Sequence, residues 1–188
     1  MEQSAGAGNQ QVSRDDLLRL ATIFDCEGSV TLSYTTRPTY KERVVAVTIG
    51  MSVGITPAWI SDTLRRLRIR HYYQEFPPRK EGYRPQATID VHSLRTVKRF
   101  HEGCGGFLLT KRDEMAIAME YVDFALSQIH VDPDRLVSPG GVHIAKTDAA
   151  KNARQEKFEE CRRKLEALRA TYLRGHSRYI GRVITPER

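Results

Sequence analysis

The chain has 188 residues, 40% of them hydrophobic and 28% charged, with a formal net charge of +7. That length supports one hydrophobic core with an appended helix, and no run of about 18 apolar residues is present to form a membrane-spanning helix. Its three cysteines, Cys26, Cys104 and Cys161, are widely spaced and include no CxxC pair. Their odd number and wide spacing point to a reduced, intracellular setting, with cytoplasm, nucleoid or organelle matrix as the expected compartment.

The charge is unevenly spread. Counting Lys and Arg against Asp and Glu, residues 1–36 carry −3, 37–112 carry +9, 113–150 carry −5 and 151–188 carry +6. Two basic blocks on a polar chain point to a polyanionic partner, nucleic acid first.

Residues 1–12 are small and polar and read as a disordered leader. Ser13 and Asp16 form a capping box, so a first helix starts near Arg14. Its Leu17, Leu18, Leu20, Ala21, Ile23 and Phe24 occupy more than one face, and Gly28 is placed to stop it. The stretch 29–36 alternates, with Val30, Leu32 and Tyr34 on the inner side. After a turn at "RPTYKE", residues 43–53 are a second strand. Thr56 as N-cap and Pro57 at the first helical position open a second helix through Trp59, Ile60, Leu64 and Leu67. Residues 70–76 and 86–92 read as two further strands, the last with Ala87, Ile89 and Val91 inward. Ser93 caps a third helix that ends at the glycines 103, 105 and 106. A fourth runs from about Lys111 to His130. After a long connection, a last helix from about Ala149 to Tyr172 carries Phe158, Cys161, Leu165, Leu168 and Tyr172 as an apolar seam, and the tail beyond it is basic and loosely ordered.

The expected fold class is α+β: an αββαββα core whose four-stranded antiparallel sheet has one polar face and helices on the other, plus C-terminal helices. The expected division is a leader (1–12), a core (13–131) and a C-terminal linker, helix and basic tail (132–188).

"LATIFDCEG" (Leu20–Gly28) resembles the nine-residue signature of the LAGLIDADG homing endonucleases, and the αββαββα order is similar to that family's. The acids at its end, Asp25 and Glu27, sit where the helix dipole disfavours negative charge. The resemblance implies that two signature helices pack side by side, with their last acids meeting beside DNA. Glu27 then carries catalysis and Asp25 is mainly structural. Two facing carboxylates repel unless a cation lies between them, and oxygen donors suit Mg²⁺, or another divalent cation such as Mn²⁺, or Ca²⁺ in a non-cleaving complex. Glu27, with the helix end at Cys26 and its unpaired carbonyls, is the expected metal position.

Because the signature occurs once, the resemblance implies a homodimer on a long near-palindromic double-stranded DNA target. Leu17, Ala21 and Phe24 are the expected dimer contacts. Thr22 stands where the family usually has Gly. Lys111, in "GFLLTKRDE", matches a family lysine near the scissile phosphate. A polar residue usual at the end of the second strand is replaced by Val53, and Ser52 beside it is the nearest group able to position water. Base reading falls to Ser29, Thr31, Ser33, Thr35 and Arg37 on the first strand, Tyr72 and Gln74 on the third, and Arg84, Gln86, Thr88 and Asp90 on the fourth. The resemblance implies a magnesium-dependent endonuclease that makes double-strand breaks and mobilises an intron. The alternative is an RNA maturase acting on intron RNA, or a DNA-binding protein that does not cut.

Overall fold

The computed structural model describes residues 12–36, 41–78, 80–128 and 148–180. The leader to residue 11, the turn with Arg37, the connection at 129–147 and the tail from 181 lie outside them. Among these described residues five helices and four strands follow in the order α1 (Arg14–Glu27), β1 (Gly28–Thr36), β2 (Lys41–Ser52), α2 (Ile55–Arg66), β3 (Tyr72–Phe76), β4 (Gln86–Val91), α3 (Leu94–Cys104), α4 (Arg112–Ser127) and α5 (Asp148–Ile180). A single 3₁₀ turn, Gly105–Phe107, follows α3. No helix among the described residues is long and apolar enough to cross a membrane.

The α+β fold class is borne out. The sheet runs β1-β2-β4-β3. β4 is antiparallel to both neighbours, with Ile49 opposite Ile89 and Tyr73 opposite Ile89 on the two sides. Alternation along the strands buries Val30, Val47, Ile49, Ala87, Ile89 and Val91 on one face and leaves hydroxyl and amide side chains on the other.

Local chemistry explains the helix starts. Ser13 Oγ accepts from the Asp16 N–H (3.1 Å) and Asp16 Oδ2 accepts from the Ser13 N–H (3.3 Å). Ser93 and Thr96 repeat the device on α3. The Ser13 N–H, and after it the Ser13 hydroxyl and Arg66, hold the Asp16 carboxyl below its usual range despite some desolvation.

Several boundaries differ from expectation: β2 begins at Lys41, inside the expected turn, and β3 at Tyr72. α2 begins at Ile55 with Gly54 as an N-cap that lacks a side-chain hydrogen bond, so Thr56 and Pro57 lie inside its first turn. α3 runs through Gly103 to Cys104. α5 runs on to Ile180, eight residues beyond Tyr172.

The chain forms two compact units. The first comprises the described residues to Thr31 with Val45–Arg112. Its core joins the inner sheet face to Leu20, Ala21 and Phe24 of α1, Ile60 and Leu64 of α2, and Val97 and Phe100 of α3. Phe24 meets Phe100 edge-on, with ring centres 5.2 Å apart. Arg19 lies over the Trp59 ring at 4.5 Å.

The second unit is Leu32–Val44 with the described residues from Asp113 onward. Here Phe158 of α5 meets Tyr121 of α4 and Tyr34 of β1, at 5.0 and 5.1 Å between ring centres. The Tyr34 hydroxyl donates to Glu159 (2.6 Å). Arg169 donates through Nη2 to the buried Glu114 carboxylate at 2.7 Å.

Candidate nucleic-acid interface and metal position

The two acids at the end of α1 have different surroundings. Asp25 Oδ2 accepts from the Leu109 N–H (2.7 Å). Its Oδ1 accepts from the N–H groups of Thr110 (3.1 Å) and Lys111 (2.8 Å) and from the Thr110 hydroxyl (3.1 Å). That hydroxyl is also within 3.1 Å of the Asp25 carbonyl. The residues just ahead of α4 are thus bound to the end of α1 by charge-assisted hydrogen bonds, and their N–H dipoles offset the charge that the end of α1 disfavours. Glu27 is exposed. Its carboxylate has no hydrogen bond or ion pair among the described residues.

Lys111 is half-buried, with its N–H fixed by Asp25. The structure therefore joins the Asp25–Glu27 helix end to the Lys111 loop across more than eighty residues of sequence. Ser52 is exposed at the end of β2. Its hydroxyl accepts from Gln86 Nε2 at 3.4 Å, so it belongs with the sheet face. Val53 is half-buried, its N–H bonded to the Pro85 carbonyl (2.9 Å).

Gly28 ends α1 for a reason other than the one expected. Its φ is −92°, open to any residue. A Cβ there would lie 2.0 Å from the Phe24 ring and 2.4 Å from the Phe24 carbonyl, so lack of space, not a left-handed turn, requires glycine.

The expected dimer contacts need correction. Ala21 and Phe24 have 0% exposure and Leu17 is half-buried. These residues form the stripe of α1 that packs into its own unit, so a second copy cannot reach the Ala21 and Phe24 side chains. A second stripe on another face of the helix, at steps of four, is Leu18, Thr22 and Cys26, all exposed. Thr22 donates back to the Leu18 carbonyl (2.9 Å), which folds its hydroxyl against the helix.

On the polar sheet face of the first unit, the register sets Asp90 beside Tyr72 and Thr48, Thr88 beside Gln74 and Gly50, and Gln86 beside Phe76 and Ser52. Ser29 and Thr31 lie on β1 of this unit, and Ser33 and Thr35 continue the strand in the second. Arg84 is exposed just before β4. Arg37 lies outside the described residues. The sequence reading missed Thr48, whose Oγ1 donates to Asp90 Oδ1 at 2.6 Å. Strict alternation backward from Ser52 would have found it.

Among the described residues no group of three His, Cys, Asp or Glu side chains could hold a metal ion. The donors at the end of α1 are nonetheless the right kind. Glu27 offers an unengaged carboxylate and the helix end offers carbonyl oxygens, both hard ligands that suit Mg²⁺ or Ca²⁺. The exposed Cys26 thiol is a soft ligand, so Cys26 fits this set only through its carbonyl.

No family model and no curated protein sequence matches the chain. Solved structures do. The LAGLIDADG homing endonuclease I-GzeII in complex with its DNA target superposes with a TM-score of 0.56 at 10% identity, over 78% of this chain and 43% of that one. The homing endonuclease I-CvuI, solved with its target in the presence of 2 mM Ca, gives 0.47 at 18% identity over 80% of this chain and 94% of that one. With the I-CreI target in 2 mM Mg, where the DNA was not cleaved, it gives 0.46 at 18% identity over the same shares, 80% and 94%. The chain has the LAGLIDADG homing endonuclease fold and spans 43% of the length of the I-GzeII structure.

Proposed function

We propose that this chain is a site-specific DNA endonuclease that works as a homodimer with a divalent cation, cutting both strands of a long near-palindromic target and so promoting intron mobility. The observation that carries the reading is the division between the two acids: Asp25 is consumed by four protein donors while Glu27 is exposed without a protein partner. A helix end with a spare carboxylate, beside a loop that presents Lys111, is half of a phosphodiester-cleaving site. The polar sheet face supplies recognition.

Glu27 and the carbonyl oxygens near Cys26 would hold the cation, which supplies a water of lowered pKa and stabilises a leaving oxygen. Asp25 fixes the loop that carries Lys111. Lys111 places a cation against the phosphate, where it offsets charge that develops on the oxygens. A second copy, meeting the first along Leu18, Thr22 and Cys26, would supply the other carboxylate. The Thr22 and Cys26 side chains are small enough for close approach, though larger than glycine. Ser52 orders Gln86 on the reading face.

Purified protein incubated with Mg²⁺ and a plasmid library of random duplex inserts should give double-strand breaks at one recurrent sequence. Glu27→Gln should retain binding and lose cutting. Cutting by that variant would remove Glu27 from the mechanism. A protein that binds a defined duplex and never nicks it with Mg²⁺ or Mn²⁺ would establish the second reading, recognition without cleavage. The apolar Val53, where the family pattern has a polar group, favours that alternative, as does its half-buried setting.

A further inference from the structure

Within the first unit, the strand residues on the polar face are hydroxyls, amides, aromatic rings, a glycine and Ala46, with one charged exception, Asp90. If this face meets DNA, as the preceding reading holds, a carboxylate there is repelled by phosphates whatever the sequence. It gains only where a base offers it a hydrogen-bond donor. In the major groove those donors are the amino groups of cytosine and adenine.

The geometry of Asp90 separates the two bases. Thr48 spends its only hydroxyl proton on Asp90 Oδ1, at 2.6 Å. Asp90 Oδ2 has no donor among the described residues. The pair therefore turns nothing but acceptors outward. Adenine presents an acceptor, N7, next to its amino group and suits a side chain with both donor and acceptor. Cytosine presents the amino donor alone, and guanine and thymine present acceptors at the corresponding positions. The hydrogen bond also holds the carboxylate in one orientation on the central strand β4, half-buried between β2 and β3.

We propose that the Thr48–Asp90 pair selects cytosine at one position in each half of the DNA target, with Asp90 as the base contact and Thr48 as the positioning residue. Alternate residues on β4 are about 6.8 Å apart, or about two base pairs. Thr88 and Gln86 then address positions about two and four base pairs further along. The effect at the Asp90 position should be about fivefold to tenfold against any other base, the low end for a single contact.

Selection of bound duplexes from a randomised pool by the full chain tests this, with Asp90→Asn, Thr48→Val and Thr48→Ser in parallel and circular dichroism as the check on folding. The native protein should return a site with one cytosine in each half that Asp90→Asn converts to adenine, because an amide matches the adenine edge. Asp90→Asn should also bind unrelated DNA more tightly, since a repulsive charge is gone. Thr48→Val should blur the cytosine and Thr48→Ser should restore it. A defined site with no cytosine that responds to Asp90→Asn overturns the inference and leaves the DNA-binding reading intact. Failure of the native protein to enrich any sequence overturns both.

Discussion

Removal of the Asp25 carboxylate tests the junction on which the candidate site rests. Asp25→Ala deletes the acceptor for three backbone N–H groups and one hydroxyl. Hydrogen bonds to charged groups contribute about 1.5–3 kcal/mol each when water cannot replace them. Water does reach Leu109 and Thr110, which are exposed, so those bonds are discounted to about 0.5 kcal/mol each, the lower end for a net hydrogen bond. The bond from the half-buried Lys111 keeps about 1.5 kcal/mol. The total is about 2.5–3 kcal/mol, or a fall in Tm of about 5–12 °C for a chain of this size. Asp25→Asn keeps one oxygen acceptor and should lose about half as much. Urea denaturation gives the free energies, and hydrogen exchange at residues 109–111 reports the bonds themselves, which should lose protection in the alanine variant. Glu27→Ala, which removes no protein contact, should change stability by less than about 0.5 kcal/mol. Equal effects of the two substitutions, or unchanged exchange at 109–111, would refute the division of roles between the acids.

Other substitutions probe the packing around that junction. Gly28→Ala should cost about 1–3 kcal/mol in denaturant titrations, because the new Cβ has nowhere to go beside Phe24. Arg68, just after α2, has φ +56°, a left-handed conformation that costs a side-chain-bearing residue about 1 kcal/mol, so Arg68→Gly should raise Tm slightly. Of the cysteines, Cys26 is exposed and Cys104 and Cys161 are buried. The Cys104 thiol is pushed up to about 12 by burial and then by the Asp25 charge, so a thiol reagent should label dilute native protein at Cys26 alone. That labelling should slow as concentration rises if two copies meet along this stripe. Hydrogen bonds from Lys164 and then Lys157 lower the Glu120 carboxyl below its ordinary range. Its contribution is therefore full above the ordinary carboxylate range and lost as pH falls through the lowered value. Glu120→Gln should flatten the acid side of the stability profile, less so at high salt because these groups are partly exposed.

Local signals were readable and distant ones were not. The capping residues Ser13 and Ser93 act on atoms three residues away, and both helices begin where those residues stand. The alternation of Val30 and Leu32, and of Ala87, Ile89 and Val91, showed which sheet face is buried, because period-two burial leaves its mark directly in the sequence. Thr48 was hidden for the same physical reason that made β2 easy to find. It sits in a run of β-branched residues that reads as one apolar block, and the two faces separate only when alternation is counted back from Ser52 or the pairing of Thr48 with Asp90 is seen. The start of α2 was misplaced because Thr56-Pro57 is a strong opening signal, yet Gly54 permits a start that leaves Ile55 exposed.

Helix α1 shows where a helical pattern stops being informative. Two stripes run along it, Leu17-Ala21-Phe24 and Leu18-Thr22-Cys26, and each has apolar and small residues at the spacing of a packing face. Nothing in a helical wheel says which stripe turns into the core. Bulk decides it: Phe24 fills the space against Phe100 and leaves no room for a side chain at position 28, so the stripe that carries it turns inward. The smaller stripe, with Leu18, Thr22 and Cys26, is left at the surface. The different surroundings of the two acids then follow from geometry. Asp25, half-buried, reaches the loop at 109–111, while Glu27, two residues further along, clears its own unit and faces outward.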